Sequence, residues 1–340
     1  MILIMRKIFV LSLFLAIILY ACPYGYHYNS GAFPTEPVNL ASLNSEYDDY
    51  NSSSPIMGEA FPLCFSSNRS SQGKDFDIIY KFLNVVFYRS NGEIYIGEDF
   101  DAWTEKYAAC QTIEDALYRI NTGSNELGPY LVPIGDGYIK SGSGWSPYQR
   151  FIFMYACDDS GKLDIRFTQN VTSDEWSSPK NVEFINSTSN DAYPVFNSDE
   201  SAIYYCSDRG GNFDIYHTTL LQNNDLISSL SNSESGATVK DTVLSSKDYN
   251  DRCPFIFDSI MVFTSDRPGG YGGYDLYSSR FRNGKWQPPV NMGEKINTMF
   301  DEFRPIVRPD IEGFSNNLMI FSSNRLGGKG GYDLYYVGIK

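Results

Sequence analysis

Short apolar runs recur along most of the chain, each broken by a cluster of Gly, Asp, Asn or Ser. The runs are rich in Tyr and Phe, as strands are, and few stretches keep a helical period. Turn residues at short, regular spacing between such runs predict an all-β chain. Two exceptions stand out. "VVFYRSNGEIYIG" carries an Asn-Gly hairpin signal at Asn91-Gly92, and "TIEDALYRI" predicts a short helix opened by Thr112.

The runs end in a repeated phrase. A strand closing on Ser-Asp/Asn-Arg is followed by a gap and then Asp-Ile/Leu-Tyr: "SSNRSSQGKDFDIIY", "CSDRGGNFDIY", "TSDRPGGYGGYDLY" and "SSNRLGGKGGYDLY", with "ACDDSGKLDIRF" as a weaker fifth copy. The gap is long from Arg69 to Asp77, Arg267 to Asp275 and Arg325 to Asp333, and short from Arg209 to Asp214. A gap of variable length marks a hairpin turn, whereas a ligand loop would hold its length. Glycine supplies the positive backbone angles of such turns.

A second phrase lies between the hairpins. "WQPPVNMGEKINTMFDEFRP" matches "WSSPKNVEFINSTSNDAYP", and shorter copies end "INTGSNELGP" and "YNDRCP", each with an acid or amide pair before a proline that opens a strand. The first copy, "EPVNLASLNSEYDDY" from Glu36, has no hairpin before it, and the chain ends after "GGYDLYYVGIK" where that phrase should follow. The repeat is circularly shifted, so the N-terminal strand completes the last unit. This predicts a β-propeller of four-stranded blades whose ring is closed by the N-terminal strand. Five blades are the preferred count; residues 67 to 157 leave room for a sixth.

Residues 1 to 21, with Arg6-Lys7 before an apolar run, resemble a bacterial lipoprotein signal peptide, and Cys22 is the expected lipid attachment site. Residues 22 to 35 read as a tether and 36 to 340 as the propeller domain. The whole chain has formal charge −14 and loses two further basic groups with the signal. Such acidity excludes nucleic acid as a partner and leaves membrane attachment to the lipid. Of the other cysteines, Cys64, Cys157 and Cys206 sit in apolar runs and read as small buried hydrophobes.

The two phrases resemble the WD40-like β-propeller repeat of the TolB type, common in bacterial envelope proteins. That resemblance implies a non-catalytic scaffold for other envelope proteins, in the periplasm or at the outer membrane. With the lipid at Cys22, anchoring in the outer membrane is expected, and "CPYGYHYNSG" lacks an acidic export run, which favours the periplasmic side over the surface. The alternative reading, from a different class, is a propeller that binds or hydrolyses glycan with funnel carboxylates. With only His27 and His217, no metal site, cofactor or serine-histidine pair is expected.

Strand alternation places both repeated phrases on one face. Arg69, Arg209, Arg267 and Arg325 are expected to pair with the turn aspartates Asp77, Asp214, Asp275 and Asp333 or with a carboxylate of a neighbouring loop, a structural role of little energy if exposed. In "ACDDSGKLDIRF" the arginine position holds Asp159, opposite Asp164, which predicts like charges there. Insertions at 84 to 102, 133 to 149, 220 to 240 and 309 to 317 fall on the opposite face and carry Tyr88, Tyr95, Tyr138, Trp145 and Tyr148, the candidate partner-binding aromatics.

Overall fold

The computed structural model describes residues 30–54, 62–88, 90–97, 108–141, 144–172, 175–221, 225–232, 236–309, 311 and 313–340. Cys22, His27 and the signal segment lie outside these residues.

The chain opens with a two-residue strand, β1 (Val38–Asn39), whose partner comes last. Blade one follows as β2 (Asp49–Ser53), β3 (Pro62–Ser67) and β4 (Asp77–Phe82). A separate hairpin, β5 (Asn84–Tyr88) and β6 (Glu93–Gly97), and helix α1 (Ala108–Ile120) come next. Blade two is β7 (Glu126–Ser141), β8 (Gly144–Cys157), β9 (Asp164–Gln169) and β10 (Lys180–Asn181). Blade three is β11 (Asp191–Phe196), β12 (Ala202–Ser207), β13 (Asp214–Thr219) and β14 (Thr238–Lys240), with the one-turn helix α2 (Leu226–Ser231) before its outer strand. Blade four is β15 (Asp251–Phe257), β16 (Ile260–Ser265) and β17 (Asp275–Arg282), edged by β18 (Lys285–Trp286) and β19 (Val290–Asn291). Blade five is β20 (Glu302–Arg308), β21 (Asn317–Ser323) and β22 (Asp333–Ile339), completed by β1 pairing Val38 with Tyr336.

The fold is therefore an all-β propeller of five blades, closed by its N-terminal strand. The segment with room for a sixth holds the β5–β6 hairpin and α1 instead. Helix α1 begins at Ala108, a full turn before Thr112, and takes the place of an outer strand. Beyond it Asn121 closes the edge of β4 with its side-chain amide, donating to Ile78 O and accepting from Ile78 N at 2.9 Å each. The last residues of the expected tether are packed down. Phe33 is buried and stacks on Phe314 at 4.1 Å, and Gly31 N donates to Gly313 O.

Both faces of each sheet are buried, so the second strands read as nearly continuous apolar runs rather than alternating ones. Alternate residues serve opposite neighbours. Phe263 and Met261 of β16 pack towards blade three with Tyr204, while Val262 packs towards blade five with Met319 and Phe321. Five such apolar layers separate the blades, and a sixth cluster, with Tyr193, Cys253 and Phe303, fills the axis.

Candidate functional site

The repeated phrases lock one face of the ring. The second member of each acid or amide pair is a carboxylate that starts an inner strand: Asp49, Glu126, Asp191, Asp251 and Glu302, all without solvent exposure. Each accepts bonds from the backbone and hydroxyl of a Ser or Thr just before it, as Asp191 does from Ser187 at 2.5 and 2.8 Å. In four blades the turn arginine completes the set. Arg69, Arg209, Arg267 and Arg325 pair with Asp49, Asp191, Asp251 and Glu302 at 2.5 to 2.9 Å. Their Nε atoms donate to Ser67, Ser207, Ser265 and Ser323, and each guanidinium lies over one or two rings, as Arg209 lies over Tyr216 at 5.0 Å.

Of the two partners expected for the arginines, the loop carboxylate that opens their own inner strand is the one taken, and the aspartate across the turn is not. The turn aspartates do other work. Asp275 accepts from the backbone of Tyr271 and Gly272 and from Asn291, Asp333 from Lys329, Gly330 and Asn39, and Asp214 pairs with Lys240. Asp77 has its carboxyl raised above the usual range by burial, against a bond from Ser70. Because the arginine-bound carboxylates are buried, removing an arginine would strand a charge at a cost of about 3 kcal/mol or more, not the fraction expected of an exposed pair.

Blade two departs from the pattern without the predicted repulsion. Asp159 is held by both terminal nitrogens of Arg166, at 2.7 and 2.6 Å, and Asp164 pairs with Lys162. Glu126 is left with Thr122 and the Cys157 thiol as bonding partners, and burial pushes its carboxyl up to about 7.

The first member of each pair staples two blades together. Asn190 bonds Asp208 through N and Nδ2 at 2.8 and 2.7 Å, while its Oδ1 accepts from Leu163 N of the preceding blade. Where this position is an acid, its partner becomes an amide, as in Asp301 with Asn324 and Asp48 with Asn68. Glycines in the long turns serve this closeness. A Cβ on Gly330 would lie 1.9 Å from Tyr47 O, and only the first glycine of each Gly-Gly-x-Gly-Gly phrase, Gly269 and Gly327, has positive φ. The need for positive angles therefore explains one glycine in four.

The axis is closed midway. Each inner strand bulges at the residue before its proline or the equivalent Ser52, where Asn51, Gly128, Tyr193, Cys253 and Arg304 all take left-handed backbone at φ 48° to 61°. Their contacts cross the ring. Asn51 Nδ2 reaches Tyr193 Oη at 3.4 Å, and Arg304 Nη2 donates to Pro129 O at 3.1 Å.

Beyond this plug, on the face opposite the locked turns, the five inner strands open into a concave mouth of about 340 Å³. Ser53 and Ser54, Tyr130 to Pro133, Ser198 and Glu200, Phe255 to Asp258, and Val307 to Pro309 line it, so every blade contributes. The wall is largely apolar and aromatic, and Arg308 is buried in it, its guanidinium lowered to about 10 by desolvation. Glu200 and Asp258 are exposed at the rim, each in left-handed backbone at φ 56° and 50°. Ser198 Oγ donates to Asp258 O at 2.6 Å and fastens the two turns to each other. A second hollow of about 240 Å³ adjoins, sharing Ser198, Ile256 and Asp258 and walled by Tyr204, Phe281 and Trp286. Among the described residues, no group of three or more His, Cys, Asp or Glu is placed to hold a metal.

The sequence did not single out Glu200 or Asp258, since each is one acid among many until the ring brings the turns together. Of the candidate aromatics, Tyr88 and Tyr138 are exposed at 49% and 64% and Tyr95 is half-buried, and none lines the mouth. The side chains of Trp145 and Tyr148 lie outside the described residues. His217, on the third strand of its blade, stacks on Tyr204 at 5.1 Å. Cys64, Cys157, Cys206 and Cys253 are buried free thiols.

No family model and no curated protein matches the chain. Solved structures do. The endo-arabinase from Bacteroides thetaiotaomicron VPI-5482 is similar over 91% of this chain and 98% of its own, with TM-score 0.51 and 12% identity. A thermostable family-43 glycoside hydrolase covers 86% and 89%, with TM-score 0.50 and 13% identity. A GH62 hydrolase solved with xylotriose covers 92% and 99%, with TM-score 0.50 and 10% identity. These neighbours overturn the resemblance to TolB-type WD40-like repeats and, with it, the expectation of a protein-binding scaffold without catalysis. The phrases that carried the resemblance are blade clamps. The comparisons establish the shared propeller architecture, and in these solved propellers it belongs to glycoside hydrolases.

Proposed function

We propose that the protein is a carbohydrate-active propeller that binds a saccharide in the mouth of its funnel and hydrolyses a glycosidic bond there. The observation that carries this reading is the mouth itself, a concavity built by all five inner strands with two exposed carboxylates on adjacent, mutually bonded turns. Aromatic and apolar walls with a few polar groups suit the faces and hydroxyls of a sugar. Glycosidic hydrolysis needs one carboxyl group to protonate the departing oxygen and another to attack the anomeric carbon or activate water. Among the described residues that line the mouth, Glu200 and Asp258 are the carboxylates available for these two roles. Glutamate in left-handed backbone is a costlier choice than glycine or asparagine, which fits a side chain kept for its chemistry. The like architecture of the three glycoside hydrolases supports the same reading.

Calorimetric titration of the purified protein with neutral oligosaccharides, arabino- and xylo-oligosaccharides among them, tests binding. At least one is expected to bind, with affinity falling about tenfold or more in Glu200→Gln or Asp258→Asn. No heat and no thermal shift across the panel, or binding indifferent to both substitutions, would remove the site from consideration.

A further inference from the structure

We infer that the closed centre of the ring holds a small inorganic anion, of the halide class, against the guanidinium of Arg304. Arg304 is 1% exposed, and it lies in the plug where the five bulges meet. One of its nitrogens, Nη2, donates to Pro129 O, and the guanidinium sits 5.2 Å from the ring of Tyr193. Its Nε and Nη1 are buried and have no bonding partner. An arginine keeps its charge in proteins, and a buried charge without a counter-ion costs several kcal/mol.

The surrounding groups do not supply the missing charge. The acidic groups that act on Arg304 are Cys253, Tyr193, Cys206 and Tyr130, and burial pushes each of them up, which keeps them neutral. Four of the five inner-strand carboxylates are occupied by the arginine of their own blade. Arg252, also acting on the thiols, adds positive charge rather than negative, and its Nε is buried and unbonded too. A neutral carbonyl and a ring face stabilise the cation only in part.

The plug is closely packed, since a Cβ on Gly128 would lie 2.4 Å from Tyr193, and we take the smallest anions, the halides, as the class to test.

The test uses the full chain in bromide. Crystals soaked in sodium bromide are expected to give an anomalous peak within bonding range of Arg304 Nε and Nη1; water alone at that position overturns the proposal. In solution, replacing gluconate by chloride at fixed ionic strength is expected to raise Tm by roughly 3 °C or more, saturably. The same replacement in Arg304→Met is expected to leave Tm unmoved. A chloride effect that persists in that variant, or no effect in the native protein, counts against the anion. Should Arg304→Met fail to fold, the bromide map of the native protein decides.

Discussion

Glu126 shows at the residue scale how the five copies of one motif differ in kind. Its four counterparts each have an arginine, whereas blade two has given its arginine to Asp159 and left a buried carboxyl with hydroxyl and thiol donors. Burial is the largest cause of its upward shift, opposed by the bonds from Thr122 and Cys157 and reinforced by Asp77. A carboxyl whose folded pKa lies above its unfolded value favours the folded state when protonated. The contribution is present below about pH 4.5 and is lost as pH rises through about 7. Glu126→Gln is therefore expected to flatten the fall in Tm between pH 5 and pH 8 and to stabilise the protein at pH 8 by roughly 1 to 3 kcal/mol. Thermal unfolding across that range checks it, and a native protein more stable at pH 8 than at pH 5, with the variant following it, would contradict the assignment. The sequence displayed the missing arginine at Asp159. It could not display Arg166, because that side chain comes from the next strand and only the register of β8 and β9 brings it back.

At the scale of elements, closure is carried by very little backbone. Strand β1 contributes two residues to the outer edge of blade five, backed by Asn39 on Asp333 and by Asn44, whose amide bonds both backbone groups of Leu334. A chain beginning at Ser45 loses all of these and exposes the edge of β22. It is expected to melt at least 10 °C lower than the intact domain and to associate through that edge, read by thermal unfolding and light scattering. Equal stability and a monomeric state would mean that the ring does not depend on this strand. The circular shift of the repeat made the closure legible, since the first phrase lacked its hairpin and the last hairpin lacked its phrase. Helix α1 was legible only in part. The helix itself was read correctly, but Thr112 lies inside it rather than at its start, and Ile113, Ala116, Leu117 and Ile120 beyond Thr112 pack with Phe151 and Phe153 of β8. Trp176 Nε1 donates to Thr112 O from the far side of blade two, a contact no local window contains.

For the whole molecule, the two ends of the channel carry different kinds of information. The locked face is written five times in the sequence, so its turns, prolines and amide pairs could be found by comparing the copies. The mouth is written once, from five separate positions that share no motif, and the acids on its rim sit among 41 acidic residues in the chain. Repetition exposed the architecture and drew attention to the arginines and the glycines, which hold blades together. The residues proposed to carry chemistry are the unrepeated ones, and of the aromatics first chosen for partner binding Tyr88, Tyr95 and Tyr138 do not line the mouth. Export, lipid attachment at Cys22 and residence in the outer membrane rest on residues before Ser30 and remain proposals, compatible with a propeller whose N-terminal strap runs beside its open face. The central claim is that the mouth cleaves glycosidic bonds. The most direct measurement is the release of new reducing ends from a panel of arabinans, xylans and their oligosaccharides by the native protein beside Glu200→Gln and Asp258→Asn. The account predicts turnover on at least one substrate and a loss of about a hundredfold or more in each variant; no release from any substrate, or release that both variants retain, would contradict it.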